Sequence, residues 1–538
     1  MEAKTYIEKR WVFLLLTFFW VIVLFENHIL DASSGIIQLS DRLQTGAKAP
    51  GLFAFLLIVW AVILLISVVL CGIVDGCGTK DFLVIGLLTG LATIVLVPFA
   101  MPIDEVTHFF RAWSISSGHL VQVKTASGLV GDYVPEKLYY VMNKPADSMN
   151  LRALYLNMAE WSERLSGRSN AFYENGYAGY YLPIGYFPAA IGLLIARIMN
   201  LPLFLMVYVG RFTNFLVYLV VSLIAYRKVP FYKNIFFLAA LNPGAIYLAC
   251  TYSTDGILIC SILLFVSICL KYYFAEDVAY AMERLGKNDR AIRKRKIIGG
   301  GDIALLIITT AFIASMKTFT YTPILLLFFL IPNGSMSMTK RIGTLIGCIA
   351  VLVALGVLQA GLLSAFTYND TRLATSTDTA GQISYVLKHP IITLRLVMNY
   401  LDQHIYYLTG SVKTMQMGAG VEGLARLCAI LPIFTVFLTD KRPIGNRKHT
   451  KLVVFCSLIY VAEVLLLILS LYVISTDVGG TEIIGVQSRY MLPLLVLLYT
   501  TLVHLPIRGN MRDYEGFVGY MTIFSVLTML VTNLVQIM

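Results

Sequence analysis

Apolar runs separated by short polar turns dominate the chain, and their lengths predict helices that cross a bilayer. Runs near 11–28, 52–73, 82–101, 203–226, 235–252, 256–273, 302–316, 320–333, 342–365, 421–439, 452–474, 489–507 and 517–537 give about 13 spans. The two runs within 302–333 are short for crossing roughly 30 Å of hydrocarbon. Polar stretches at 102–180 and 366–420 interrupt the pattern. No soluble domain, repeat or low-complexity segment stands out. The chain therefore reads as a single integral membrane domain over 1–538, all-α and polytopic. It carries one large external loop at 102–201 and a second at 366–420. The first apolar run lacks a small-residue cleavage site and is expected to stay as a helix.

Basic residues set the expected orientation. Lys4, Lys9 and Arg10 place the N-terminus in the cytoplasm, and so do the eight Lys/Arg of 271–296 and the five of 441–451 for their loops. Three spans then bring Asp104 to the outer face, and two more leave Asp255 there. One segment breaks the count. Tyr181–Met199 is apolar enough to cross, but counting it would invert every later loop. Pro183, Gly185 and Pro188 disfavour a regular helix at its start, so it is expected to be an interfacial or re-entrant helix on the outer face. A full crossing here, with another segment re-entrant, is the competing arrangement.

Composition narrows the class. The chain is 58% hydrophobic and 14% charged, with a mean hydropathy of +0.76, which excludes an ordinary soluble protein. The net charge of +11 sits in short loops and is no signal for nucleic acid. The eight cysteines lie mostly inside apolar runs, without metal-ligand spacing or a disulfide framework. No Walker loop, dinucleotide turn, HExxH, Ser-x-x-Lys or Gly-x-Ser-x-Gly is present. Any reaction must draw on an activated substrate or an ion gradient.

The richest stretch for chemistry is Met101-Pro-Ile-Asp-Glu-Val-Thr-His-Phe-Phe-Arg-Ala-Trp113. Helical spacing puts Asp104, His108 and Arg111 on one face, and Pro102 suits a helix's first turn. Ionisable groups at a membrane boundary are costly unless they are used. The set suits a carboxylate that removes a proton while cations hold an anion; a charged collar that merely ends the helix is the plainer alternative. Three further polar clusters collect on the same side. Asp255 follows Ser253-Thr254 and opens an apolar helix, where an N-cap is its plain role. Lys317 lies between the two short runs, positioned for a phosphate or for snorkelling. Gln487-Ser-Arg-Tyr490 begins a late span, and arginine is the preferred fork for phosphate oxygens. Arg211 and Asn214 read as interhelix hydrogen-bonding residues. The aromatics of the large loop, Trp113, Tyr133, Tyr139, Tyr140, Trp161, Tyr173, Tyr177, Tyr180 and Tyr181, suit sugar stacking or an interfacial belt. His119 and Asp132 receive no role.

Pro102-x-Asp-Glu-x-x-His-x-x-Arg-Ala112, Gly210-Arg-Phe-Thr-Asn214, Asn242-Pro with Ser-Thr-Asp255, Met316-Lys-Thr-Phe-Thr-Tyr321, Lys388-His-Pro390 and Gln487-Ser-Arg-Tyr-Met-Leu-Pro493 occur in order. Together they resemble the signature of the DUF2142 predicted membrane proteins, with Ser488 where that pattern has glycine. That family in turn is similar to the C-type glycosyltransferases, polytopic enzymes that take a sugar from a polyprenyl-phosphate carrier on the outer membrane face. The resemblance implies a bacterial plasma-membrane location, an acidic motif at Asp104-Glu105, and Tyr181–Met199 as a helix lying along the membrane. It implies Asp104 as the base, with Glu105 or His108 orienting it or the acceptor. Arg111, Lys317 and Arg489 would meet the donor phosphate, and Asp255, Tyr321, Gln487 and Tyr490 the substrate. A divalent ion, Mg or Mn, is not required, though Asp104, Glu105 and Asp255 could hold one. The implied partners are a polyprenyl-phosphate-linked sugar, a glycan or glycolipid acceptor (cell-surface polysaccharide, teichoic acid or glycolipid) and membrane lipid. A transporter or flippase of lipid-linked glycans, or a non-catalytic glycan receptor, remains an alternative use of the same charges; the lack of an inverted repeat weighs against transport.

Overall fold

The structure, a computed structural model, describes residues 49–97, 99, 102, 104–142, 164–165, 170–175, 181–284, 296–365, 378–410, 422–439, 447–503 and 514–537. The expected span at 11–28, the basic run 293–295, and Trp161, Tyr177 and Tyr180 lie outside them.

The architecture is mostly helical. Helices α1 (Ala49–Ile73) and α2 (Thr79–Leu96) lead to α3 (Glu105–Ser116). A small antiparallel sheet follows, formed by β1 (Val123–Lys124), β2 (Val130–Pro135) and β3 (Asn170–Glu174), with α4 (Glu136–Met142) between β2 and β3. Its register pairs Gly131 with Glu174 and Pro135 with Asn170. This sheet corrects the all-α expectation for the large loop. Its β1 has only two residues, and the burial of β2 and β3 does not alternate, so periodicity does not announce them. A 3-10 turn, Pro183–Tyr186, then opens α5 (Phe187–Ile198), which folds back onto α6 (Leu203–Lys228).

Helices α7 (Lys233–Ala240), α8 (Pro243–Ala249), α9 (Asp255–Tyr273), α10 (Ala275–Arg284) and α11 (Gly300–Ser315) come next, then 3-10 segments at Lys317–Phe319 and Thr322–Leu330. The chain closes with α12 (Met338–Ala365), α13 (Thr379–Lys388), α14 (Pro390–Gln403), a 3-10 segment at Ile405–Thr409, α15 (Glu422–Thr439), α16 (Arg447–Ser475), a 3-10 segment at Ser488–Leu494, α17 (Leu495–Leu502) and α18 (Tyr514–Ile537).

Among the described residues, five helices are long and apolar enough to cross a membrane: Thr79–Leu96, Leu203–Lys228, Asp255–Tyr273, Met338–Leu362 and Arg447–Ser475. Burial separates their roles. In Asp255–Tyr273, 94% of the apolar window is enclosed, against 11% for Met338–Leu362, so α9 is the central column and α12 lies at the rim. Along α12, Ile342, Ile346, Ile349, Val353 and Val357 form an exposed apolar stripe, which suits contact with lipid.

Several expected spans are broken rather than continuous. The 235–252 run is divided between α7 and α8, because Pro243 cannot continue a helix and the Asn242 side chain accepts from Gly244 N–H at 2.9 Å. The 320–333 run is a 3-10 segment, and 489–507 begins as one. These short pieces still join the two ends of the bundle. One end is marked by Asp302, which accepts from Lys228 at 2.5 Å, Lys271 at 2.7 Å and the Tyr272 hydroxyl at 2.7 Å. The other is marked by Asp255 and Lys317. The 16 residues of α11 cover about 24 Å between them. A 3-10 segment rises about 2 Å per residue, so Thr322–Leu330 returns most of that distance in nine residues. Of the two short runs, the second is extended by its tighter winding, whereas the first lies in the ordinary α-helix α11.

Two buried apolar clusters organise the site. The larger surrounds α9. The smaller joins α3, α5 and the start of α6 through Phe109, Trp113, Tyr186, Leu193 and Met206. Twelve-residue α5 is about 18 Å long and packs along α6. Its outward face carries Ile191, Ile195 and Ile198. A protease-sensitive tag inserted after Ile198 should be reached from the outer face of intact cells. A cytoplasmic readout would overturn the non-crossing arrangement of this segment.

Candidate functional site

The end of the bundle opposite Asp302 begins with a buried ion pair. Glu105 and Arg211 are closed off from solvent and meet through two contacts, Nε to Oε1 at 2.8 Å and Nη2 to Oε2 at 2.6 Å. Arg211 also donates to the carbonyls of Val97 at 2.5 Å and Ile94 at 3.3 Å, where α2 ends. The pair thus ties α2, α3 and α6 together and fixes the turn that carries Asp104. From the next turn of α6, Asn214 donates to the carbonyls of Thr251 at 2.8 Å and Ser253 at 3.2 Å, holding the turn before Asp255. Gly185 closes the other side: a Cβ there would lie 2.9 Å from Thr254 Cγ2 and 3.0 Å from Met316 Cε, so a larger residue would push these side chains aside.

Four charged groups converge within this frame. Asp104 precedes α3 with a left-handed backbone, φ 62°, and its carboxylate accepts from Arg489 Nη2 at 2.9 Å. Asp255 sits in the first turn of α9. One of its oxygens lies 3.4 Å from Lys317 Nζ and the other 3.8 Å from Arg489 Nε. That second oxygen has no hydrogen-bond partner. Asp255 therefore faces the cations rather than capping its own helix, as its plain role would have had it. Lys317 Nζ stands 4.4 Å from the Tyr490 ring, and Tyr321 donates its hydroxyl to the Tyr490 carbonyl at 2.7 Å. Gln487 Oε1 lacks a hydrogen-bond partner. The burial is uneven: the Arg489 side chain is 3% exposed, whereas that of Asp104 is 42% exposed. One carboxylate thus reaches solvent while the cations behind it stay enclosed.

His108 faces the same cluster. Its Nδ1 is 2.7 Å from the Tyr186 hydroxyl, and the Tyr181 ring centroid lies 6.2 Å away. Burial, then the nearby charges of Arg489 and Lys317, push its pKa from the ordinary 6.5 down to about 4. It is a neutral imidazole at pH 7.

Two expected members sit elsewhere. Glu105 is turned away into its pair with Arg211, so its placement suits holding the frame rather than orienting Asp104. Arg111 is fully buried and donates through Nη2 to the carbonyls of Leu120 at 2.8 Å and Tyr181 at 3.3 Å, which anchors the loop, while its Nε and Nη1 have no hydrogen-bond partner. Of the expected common face, Asp104 and His108 reach the same cluster, whereas Arg111 turns to the Leu120 and Tyr181 carbonyls. His119 and Asp132 pair at 2.9 Å away from the cluster, pinning the loop to β2. The tyrosine partner Tyr186 was not singled out by the sequence; the Pro183-x-Gly-Tyr turn was the available signal. As for a divalent ion, no group of three His, Cys, Asp or Glu among the described residues could hold one, and Glu105 is engaged by Arg211. The carboxylates do not fit the Mg or Mn site considered for Asp104, Glu105 and Asp255.

A family model described as a predicted membrane protein (DUF2142) matches residues 87–498, well over half of the chain. No curated protein and no solved structure matches it.

Two outcomes follow from the geometry. Glu105→Leu should cost about 3–5 kcal/mol of stability by leaving the Arg211 guanidinium without that carboxylate. Adding Arg211→Met should recover most of the loss, as read by thermal unfolding in detergent; equal losses in the single and double variants would contradict the frame-holding role. For His108, the folded protein binds its proton less readily than the unfolded chain does. Stability should therefore fall as pH drops from 6.5 towards 4 and level off below that. His108→Gln should flatten this part of the melting-temperature profile, and an unchanged slope would count against the buried neutral imidazole.

Proposed function

The chain belongs to the DUF2142 family of predicted membrane proteins, and we propose that it is a membrane glycosyltransferase of the C type. In this reading it moves a sugar from a polyprenyl-phosphate donor to a hydroxyl of a cell-surface glycan, teichoic acid or glycolipid on the outer face of the plasma membrane. The observation that carries the proposal is the solvent-reachable Asp104 carboxylate held 2.9 Å from an enclosed Arg489, with Lys317 and Asp255 behind it.

The chemistry asks for those groups. The acceptor oxygen attacks the anomeric carbon, a new C–O bond forms, and the bond from that carbon to the phosphate oxygen breaks. Asp104 takes the proton lost by the acceptor hydroxyl. The phosphate leaves with the electron pair, and Lys317 and Arg489 stabilise its charge. A single displacement inverts the anomeric configuration. Asp255, whose contacts with both cations are longer than that of Asp104, holds them while leaving room for a phosphate to compete. The hydrogen-bond acceptors without donors, on Asp255 and Gln487, suit sugar hydroxyls, and Tyr490 and Tyr321 shape the wall beside Lys317.

Purified protein assayed with a panel of polyprenyl-phosphate sugars tests the reading. Asp104→Asn should keep its fold and lower turnover by about 10²-fold or more. Turnover that survives the substitution removes Asp104 from the base role. Binding of a lipid-linked glycan with no transfer from any donor would favour the flippase or receptor reading instead.

A further inference from the structure

One buried acid has no part in this scheme. Glu463 lies inside α16, fully enclosed by protein. Its Oε1 accepts the Ile324 backbone N–H at 3.1 Å, a group shared with the Tyr321 carbonyl at 3.3 Å. Its Oε2 has no hydrogen-bond partner. Among the described residues no lysine, arginine or histidine pairs with it; Lys317 and Arg489 engage Asp104 and Asp255 instead. An ionised carboxylate in such surroundings is strongly disfavoured, and the usual escape is to keep the proton.

The place of this acid in the fold gives it a task. The first N–H groups of a helical segment have no acceptor within the segment, and away from water each needs one. Thr322–Leu330 starts beside Pro323 and winds as a 3-10 helix against α16. Glu463 supplies a second acceptor at its first turn, closer to the Ile324 N–H than the Tyr321 carbonyl is. Immediately before that turn, Tyr321 bonds the Tyr490 carbonyl, and Lys317 lies four residues further back, over the Tyr490 ring. This acceptor therefore holds the chain just after the residues that deliver Lys317 and Tyr321 to the cluster.

We infer that Glu463 is a proton-holding site within the membrane segment: a neutral carboxylic acid, protonated on the Oε2 that no donor faces, whose Oε1 caps the 3-10 segment and positions Lys317 and Tyr321. It is a positioning residue and touches no reacting atom. The protonation stands apart from the transfer reading; only its consequence for catalysis rests on that reading.

Both parts can be tested without turnover. The infrared difference between the wild-type protein and Glu463→Gln at neutral pH should contain the carbonyl stretch of a neutral carboxylic acid, lost in the variant. A difference made of carboxylate stretches overturns the inference. Hydrogen exchange over 317–330 should rise about tenfold or more in Glu463→Leu, which lacks the acceptor, and stay near the wild-type rate in Glu463→Gln, which keeps it. Protection in Glu463→Leu equal to that of the wild type overturns the positioning role. Neither result depends on sugar transfer, so failure of the transferase reading would be seen separately in the donor assay.

Discussion

The enclosed pair of Glu105 and Arg211 is the contact on which this end of the molecule depends. Buried ion pairs are poor sources of net stability, because desolvation offsets most of the attraction. What this one supplies is position. It joins residues 106 apart in sequence, and the same guanidinium takes up two carbonyls at the end of α2. Between those carbonyls and Glu105 the chain has only a few residues in which to turn. Asp104 falls in that turn. Its place against Arg489, a residue 385 positions away, follows from a tether that is itself remote from solvent.

The charged cluster is balanced in count but not in tightness. Two carboxylates face two cations, at 2.9, 3.4 and 3.8 Å. Only the first is a hydrogen bond of ordinary length. In a low-dielectric setting these longer contacts still hold the charges together, yet they leave directional capacity unused. Longer contacts of this kind are exchanged for contacts to another charged group more readily than short, satisfied bonds are. A set of fully satisfied short bonds would be more rigid.

Much of the cluster was legible in the sequence, for a physical reason. Asp104, Asp255, Lys317 and Arg489 each stand where an apolar run begins or ends, and charge there is rare enough to be conspicuous. What could not be read was which neighbour faces which partner. Asp104 and Glu105 are adjacent, and a local change of backbone sends one to Arg489 and the other to Arg211. Arg111 looked equivalent to the other cations because its carbonyl partners, at Leu120 and Tyr181, are set by a loop whose path no periodicity encodes. The same limit applies to winding. Hydropathy reports that 320–333 is apolar but does not distinguish an α-helix from a 3-10 segment; Pro323 and Pro493 were the only local hints. Glu463 went unnoticed within a continuous apolar run, although an acid there is as unusual as Lys317.

Backbone strain has the same distribution as the charges. Among the described residues, five other than glycine have positive φ, and three of them, Asp104, Lys317 and Phe319, lie at or beside the cluster. A left-handed backbone is unfavourable for such side chains and persists only where surrounding contacts over-determine it. Here those contacts can be named. The Glu105–Arg211 tether fixes the chain on one side of Asp104, and Arg489 holds its carboxylate on the other. Lys317 is held by Asp255 and the Tyr490 ring, while the segment that follows it is pinned at Ile324 by Glu463. The buried polar contacts of α6 and α16 and the strained positions at the cluster therefore belong to one arrangement: enclosed bonds within the helices hold the exposed end in a geometry that its local sequence would not adopt alone.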